Sequence, residues 1–219
     1  MAEERVGPPE RRLPLFRRQA IEGAPGTIKL AELPFAAKFV LRLDPAAGEA
    51  AFRQAAGLDL PAAPLMSVVN GERAVLWLGP DEFLVVAPEA EAGELAEALA
   101  AGLADTHHQF TEVSNYYTAI LVEGPKARQA LMKLTTLDLH PRAFKPGMVA
   151  GSNFGHAQAY LWLEHEEEGA ARLRLYVRWS MAEYLWCALA EAGREWGVPE
   201  QEPVAGEPML TESVTSRKA

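Results

Sequence analysis

Cysteine is almost absent. Cys187 is the only one in 219 residues, so no intrachain disulfide is available, and no Cys/Cys or Cys/His cluster has metal-site spacing. A reducing, cytoplasmic setting suits such a chain. Positive charge is also in short supply: 21 Lys and Arg face 30 Asp and Glu, a net charge of -9 that repels phosphate backbones and argues against nucleic acid as a partner. Long apolar runs are missing as well. The longest, residues 184–190, is seven residues, and residues 74–78 and 83–87 are five each, against the roughly twenty that cross a bilayer. No membrane span is expected. Arg11-Arg12 and Arg17-Arg18 do not open an export signal, because Glu22, Pro25, Lys29 and Glu32 interrupt any apolar segment after them.

What is present is an ordinary globular balance, 49% apolar and 23% charged residues. The two ends differ from the middle. Residues 1–26 carry Pro8, Pro9, Pro14 and Pro25 with five arginines, and residues 198–219 carry Pro199, Pro203 and Pro208 among glutamates and small residues. They read as a flexible N-terminal arm and a disordered C-terminal tail around a core of residues 27–197.

Within that core, short strand and helix patterns recur in one order. Residues 39–43 alternate as a strand, Asp44-Pro45 opens an alanine-rich helix over 46–56, and 65–69 and 74–78 flank the turn-forming Asn70-Gly71. Gly79-Pro80-Asp81-Glu82 reverses the chain into 83–87. A helix over 91–103 stacks Leu95, Leu99 and Leu103 on one face, and 107–113 returns as a strand. The order then repeats: strand 117–122, a helix after Gly124-Pro125, strands 157–163 and 173–177, and a helix from Met181. The pattern gives an α+β fold of two tandem ferredoxin-like split βαβ units with antiparallel sheets, halves near 27–114 and 115–197.

In the last helix, Ser180-Met181-Ala182-Glu183 fits a capping box. Met181, Leu185, Ala188, Leu189, Ala192 and Trp196 form its core stripe. Tyr184 and Trp186 fall on the two flanks, to be covered either by loops and tails or by a partner protein. Catalytic signatures do not converge. G-x-G-x-x-G, G-x-x-x-x-G-K-[ST], G-x-S-x-G and H-E-x-x-H are all missing, and the five histidines show no zinc-ligand spacing. Cys187 lies mid-helix with no sequence neighbour to lower its pKa. Glu164-His165-Glu166-Glu167-Glu168-Gly169 reads as a solvated hairpin loop, and residues 147–155, with three glycines, as a flexible crossing.

One stretch stands out. In Leu137-Asp138-Leu139-His140-Pro141-Arg142-Ala143-Phe144, Pro141 holds His140 extended. Leu137, Leu139 and Phe144 are placed to pin the loop, and the Arg142 fork is available to a carboxylate, of this chain or of a partner.

That stretch, with Pro146-Gly147, the run Tyr176-Val177-Arg178-Trp179-Ser180-Met181-Ala182-Glu183-Tyr184-Leu185-Trp186 and the hairpin Trp77-Leu78-Gly79-Pro80-Asp81-Glu82-Phe83-Leu84, resembles the gamma subunit family of heterotetrameric sarcosine oxidase. The resemblance covers about residues 27–197. It implies a fold similar to the folate-binding part of the glycine-cleavage aminomethyltransferase (T-protein). It also implies a cytoplasmic accessory subunit of an oxidoreductase acting on CH-NH groups, oxidising sarcosine to glycine with hydrogen peroxide. In that family the larger flavoprotein subunits carry FAD, FMN, NAD and tetrahydrofolate, so no cofactor is expected on this chain alone and no catalytic residue carries over. Tyr184, Trp186, Arg142 and His140 become the candidate partner interface. Lys133-Leu134-Thr135-Thr136 departs from the family's Lys-Gly-Cys-like turn, leaving a related amine or N-methyl amino acid open as substrate. The alternative is a stand-alone folate-binding, aminomethyltransferase-like protein.

Overall fold

The computed structural model describes residues 11–202. The first half contains β3 (Ala36–Leu43), α1 (Pro45–Ala56), β4 (Ser67–Asn70), β5 (Arg73–Gly79), β6 (Glu82–Pro88), α2 (Ala92–Gly102) and β7 (His108–Glu112). The second contains β8 (Tyr117–Gly124), α3 (Ala127–Met132), β9 (Val149–Phe154), β10 (Ala157–Glu167), β11 (Ala170–Arg178) and α4 (Ala182–Gly193). Before both come β1 (Ile21–Glu22) and β2 (Lys29–Glu32). The sheets are antiparallel and mirror one another: β4-β5-β6-β3-β7 in the first half, β9-β10-β11-β8-β2-β1 in the second. The duplicated split βαβ order is therefore present. The place beside β8 that β7 holds beside β3 is filled from the N-terminal segment, by β2.

Local chemistry accounts for the elements. Asp44 caps α1, its carboxylate accepting from the Ala46 amide at 2.9 Å, and Gly57 ends the helix at φ 68°. Gly71 supplies φ 61° to the β4-β5 turn. Each helix pair covers one face of its sheet: Phe52, Leu95, Leu99 and Leu103 pack under the first, and Leu131, Leu185, Trp186 and Leu189 under the second. The other two faces pack on each other. Leu76, Leu84, Val86, Val149, Trp162 and Tyr176 form this middle layer, which makes four layers in the order helices, sheet, sheet, helices. At one edge the sheets are stitched together: the Ser67 amide donates to the Gly147 carbonyl at 2.8 Å, and the Val149 amide donates to the Leu65 carbonyl at 2.7 Å.

Several expectations change. The boundary drawn at residue 27 cuts through the β1-β2 hairpin, since Ile21 pairs with Leu30. Leu15 is fully buried, and its amide donates to the Glu32 carboxylate at 3.0 Å. Arg18 donates to Glu183 at 2.7 Å and to the Glu202 carbonyl at 2.6 Å, and Val198 is buried. Proline and arginine content marked residues 11–26 as solvated; a few apolar anchors and an arginine with partners on both α4 and residues 201–202 bind them to the second half. Residues 1–10 and 203–219, the outer parts of the expected arm and tail, lie outside the described residues.

The capping box does not form. Met181 precedes α4 with no side-chain cap, and Glu183 turns to Arg18 instead. Residues 149–154 make a strand rather than a flexible crossing, with Gly151 opposite Tyr160 and close to its ring. Strand β10 runs to Glu167, so only Glu168-Gly169, both at positive φ, forms the turn.

Leu15→Ala tests the corrected boundary. A core leucine loses about 2–5 kcal/mol on truncation, whereas one on a solvated arm loses close to nothing. Urea unfolding of the full chain distinguishes the two, and an unchanged midpoint would return residues 11–26 to an arm.

Candidate functional site

The segment after α3 presents a loop whose ends are buried and whose tip is not. Leu139 and Phe144 are buried, while His140, Pro141, Arg142 and Ala143 are all exposed. Its shape is held from beneath by Arg128 of α3, a residue the sequence analysis passed over. The Arg128 guanidinium donates to the Leu139 carbonyl at 2.7 Å and the Phe144 carbonyl at 2.9 Å, and its fork meets Glu166 at 2.7 and 2.9 Å. This satisfies a nearly buried cation. The Arg128 bond holds the Glu166 carboxyl below the usual carboxylate range, against desolvation. The signal for it was an arginine on the apolar helix 127–132, with acids at alternate positions of a long strand.

Within the tip, Asp138 accepts from the His140 amide at 3.0 Å, an Asx turn. His140 Nδ1 then accepts from the Arg142 amide at 3.1 Å and from Arg142 Nε at 3.4 Å. The structure thus brings His140 and Arg142 together. Among the described residues no carboxylate lies within ion-pair distance of Arg142, so the reading in which it is tied to an acid of its own chain does not hold.

The other two proposed interface residues separate. Trp186 is fully buried in the core of the second half, its Nε1 donating to Gln201 at 3.5 Å. It is sealed by this chain and does not anchor a partner surface. The reason is the packed N-terminal segment and residues 198–202, which cover the flank that helical periodicity left open. Tyr184 stays 36% exposed, its hydroxyl accepting from the His156 amide at 3.0 Å over Gly155. Gly155 in turn donates to the Leu134 carbonyl at 2.7 Å, placing Tyr184 near the start of the 137–146 segment.

A cleft of about 650 Å³ opens between the sheets, lined by Phe35, Arg73, Glu89, Trp162, His165 and Arg174 among others. Glu164, at the β10 bulge, binds Arg172 at 2.9 Å and pairs with Arg174, whose guanidinium lies over the Trp162 ring. These pairs show that the acidic run is not a solvated loop. Beside the cleft Lys38 is buried on β3, with its Nζ donating to the carbonyls of Ala36 at 3.0 Å and Ser114 at 3.4 Å. Desolvation, with Arg11 and Arg174 nearby and only Glu89 opposing, brings it down to about 8.

A model of the sarcosine oxidase, gamma subunit family matches residues 42–195. The chain belongs to that family. A sarcosine oxidase gamma subunit from Corynebacterium sp. (strain P-1) is 38% identical over 146 residues, 65% of this chain and 70% of that one. Another from Arthrobacter sp. is 33% identical over 169 residues, 76% and 82% of the two chains. Among solved structures, a chain of the heterotetrameric sarcosine oxidase from Corynebacterium sp. U-96 superposes with a TM-score of 0.76 at 30% identity, covering 88% of this chain and 99% of that one. The glycine cleavage aminomethyltransferase T from Bartonella henselae, at 13% identity and TM-score 0.56 over 75% of this chain and 46% of that one, shares the fold.

For this gamma-family chain the chemical inventory is short. Among the described residues no group of three or more His, Cys, Asp or Glu is placed to hold a metal ion, and no helix is long and apolar enough to cross a membrane. Cys187 does have a cation beside it, Arg18 Nη2 at 3.7 Å, which the sequence did not show. Burial still outweighs that cation and pushes the thiol up, away from the reactive thiolate.

Lys38 gives the site a pH signature. Its ordinary value is 10.5 and its folded value about 8, so between those limits the unfolded chain holds a proton that the folded chain has released. Stability therefore rises with pH across that window, relieving a penalty on the order of 3 kcal/mol at neutral pH. Urea midpoints between pH 7.5 and 9.5 should climb in the wild type relative to Lys38→Met. Parallel pH profiles in the two proteins would sink the assignment.

Proposed function

We propose that this chain is the gamma subunit of a cytoplasmic heterotetrameric sarcosine oxidase and serves it as a structural, non-catalytic part. The assembly oxidises sarcosine to glycine, with hydrogen peroxide as co-product. The larger flavoprotein subunits carry FAD, FMN, NAD and tetrahydrofolate, and this chain carries none of them. One observation bears most of the weight: 99% of a chain in a heterotetrameric sarcosine oxidase is matched by 88% of this one, with a TM-score of 0.76.

The site geometry fits that role. Two carboxylates with shifted pKa values are engaged in holding layers and loops together: Glu166 with Arg128, Glu32 with Thr118 and the Leu15 amide. His140, Arg142 and Tyr184 present polar, preshaped groups at the surface, and these form the proposed contact with larger subunits. Trp186 takes no part. The inter-sheet cleft is the feature that favours the second reading, a self-sufficient folate-binding protein.

Tagged chain expressed with its genomic flavoprotein neighbours should co-purify with them as a stoichiometric, yellow complex that turns over sarcosine, while the chain alone should be colourless and inactive. A stoichiometric flavin on the lone chain would overturn the subunit reading. A rise in its melting temperature with tetrahydrofolate, together with failure to co-purify, would install the folate-binding one instead.

A further inference from the structure

The tip of the 137–146 segment is built more firmly than its exposure requires. A nearly buried ion pair, with side chains 9% and 16% exposed, holds the loop's two end carbonyls. An ion pair removed from water is costly to assemble, and a surface loop with no task can be closed by water and ordinary turns. Here the pair fixes the residues whose side chains face outward.

Charge sharpens the point. The chain carries a net charge of -9, and its arginines are typically occupied: Arg18, Arg73, Arg128, Arg172 and Arg174 each meet a carboxylate. Arg142 does not. Its Nε is turned back onto His140 Nδ1, which orients the guanidinium while leaving both Nη groups outside that contact. Lys145, three residues on, is also exposed with no carboxylate in ion-pair range among the described residues. The acid of the tip, Asp138, is turned to the His140 amide. A preshaped cationic knob therefore projects from an acidic protein.

We infer that this knob is a docking element for a carboxylate-bearing segment of a larger subunit, with Arg142 as a forked donor and Lys145 as a second, less directional charge. The inference rests on the subunit reading and adds the chemistry of the contact. A planar fork held by His140 loses little side-chain freedom on meeting a carboxylate, so the contact should be directional as well as electrostatic. His140 acts as a positioning residue: its unprotonated Nδ1 is what the Arg142 groups donate to.

The test titrates wild-type and variant chains into the larger subunits purified without this chain, and reads affinity by native mass spectrometry and sedimentation. Arg142→Glu should weaken association about tenfold or more. Arg142→Lys, which keeps the charge and loses the fork, should fall between. Both variants should keep the wild-type melting temperature, because the tip is exposed. Wild-type affinity should also drop as salt is raised from 50 to about 300 mM. Wild-type affinity in Arg142→Glu would overturn this proposal and leave the subunit reading standing. Failure of the wild-type chain to associate with the larger subunits would overturn that reading, and the docking knob with it.

Discussion

Everything in this fold follows from two sheets having no free face. In a half-exposed sheet, alternate residues can be polar. Here Phe83, Val85 and Ala87 face helices while Leu84 and Val86 face the opposite sheet, and both sets are buried. The same holds on β11, where Leu173, Leu175 and Val177 lie under helices and Tyr176 lies between the sheets. Polar groups in the middle layer must therefore find partners there, as two of them show: Trp162 Nε1 donates to Ser67 Oγ at 3.0 Å, and Arg174 Nη1 donates to the Tyr176 hydroxyl at 3.2 Å. Lys38 is the member of that layer whose Nζ meets carbonyls alone, which is why its ammonium is the one held at a disadvantage.

The duplicated plan was legible because hairpin turns and apolar periodicity are local. Asp44-Pro45, Gly71 and the Leu95-Leu99-Leu103 face each act over a few residues, and each appears where the sequence placed it. What the sequence hid was long-range. β2 completes the second sheet beside β8, about ninety positions away in the pairing of Leu30 with Val122. No local pattern distinguishes a four-residue strand that meets its partner so far downstream from an irregular arm. The capping box failed for the same reason: Glu183 had a better partner in Arg18, 165 residues earlier.

The candidate site shows the same division. Arg142 and His140 were readable from the proline between them, because Pro141 dictates local geometry. Arg128 was not, since its role depends on Glu166 arriving from another strand. Trp186 was misplaced because periodicity assigns a flank to a helix without saying what covers it. Arg18 and Gln201, which meet beside Trp186, come from opposite ends of the described chain, and those ends seal the flank together.

A fold shared with the aminomethyltransferase T structure need not retain the same work. In this chain several charged groups at or near the inter-sheet cleft are paired with one another. Glu164 is divided between Arg172 and Arg174, and Arg73 is bound to Glu91 and the Ala56 carbonyl. Such pairs rigidify the layers at the expense of reactivity, because a carboxylate already accepting from a guanidinium is a poorer base. Arg142 and Lys145, with no carboxylate in ion-pair range among the described residues, sit instead on the outer surface, on a clamped loop. A cation held at one shaped point outside is an arrangement that suits recognition of another polypeptide.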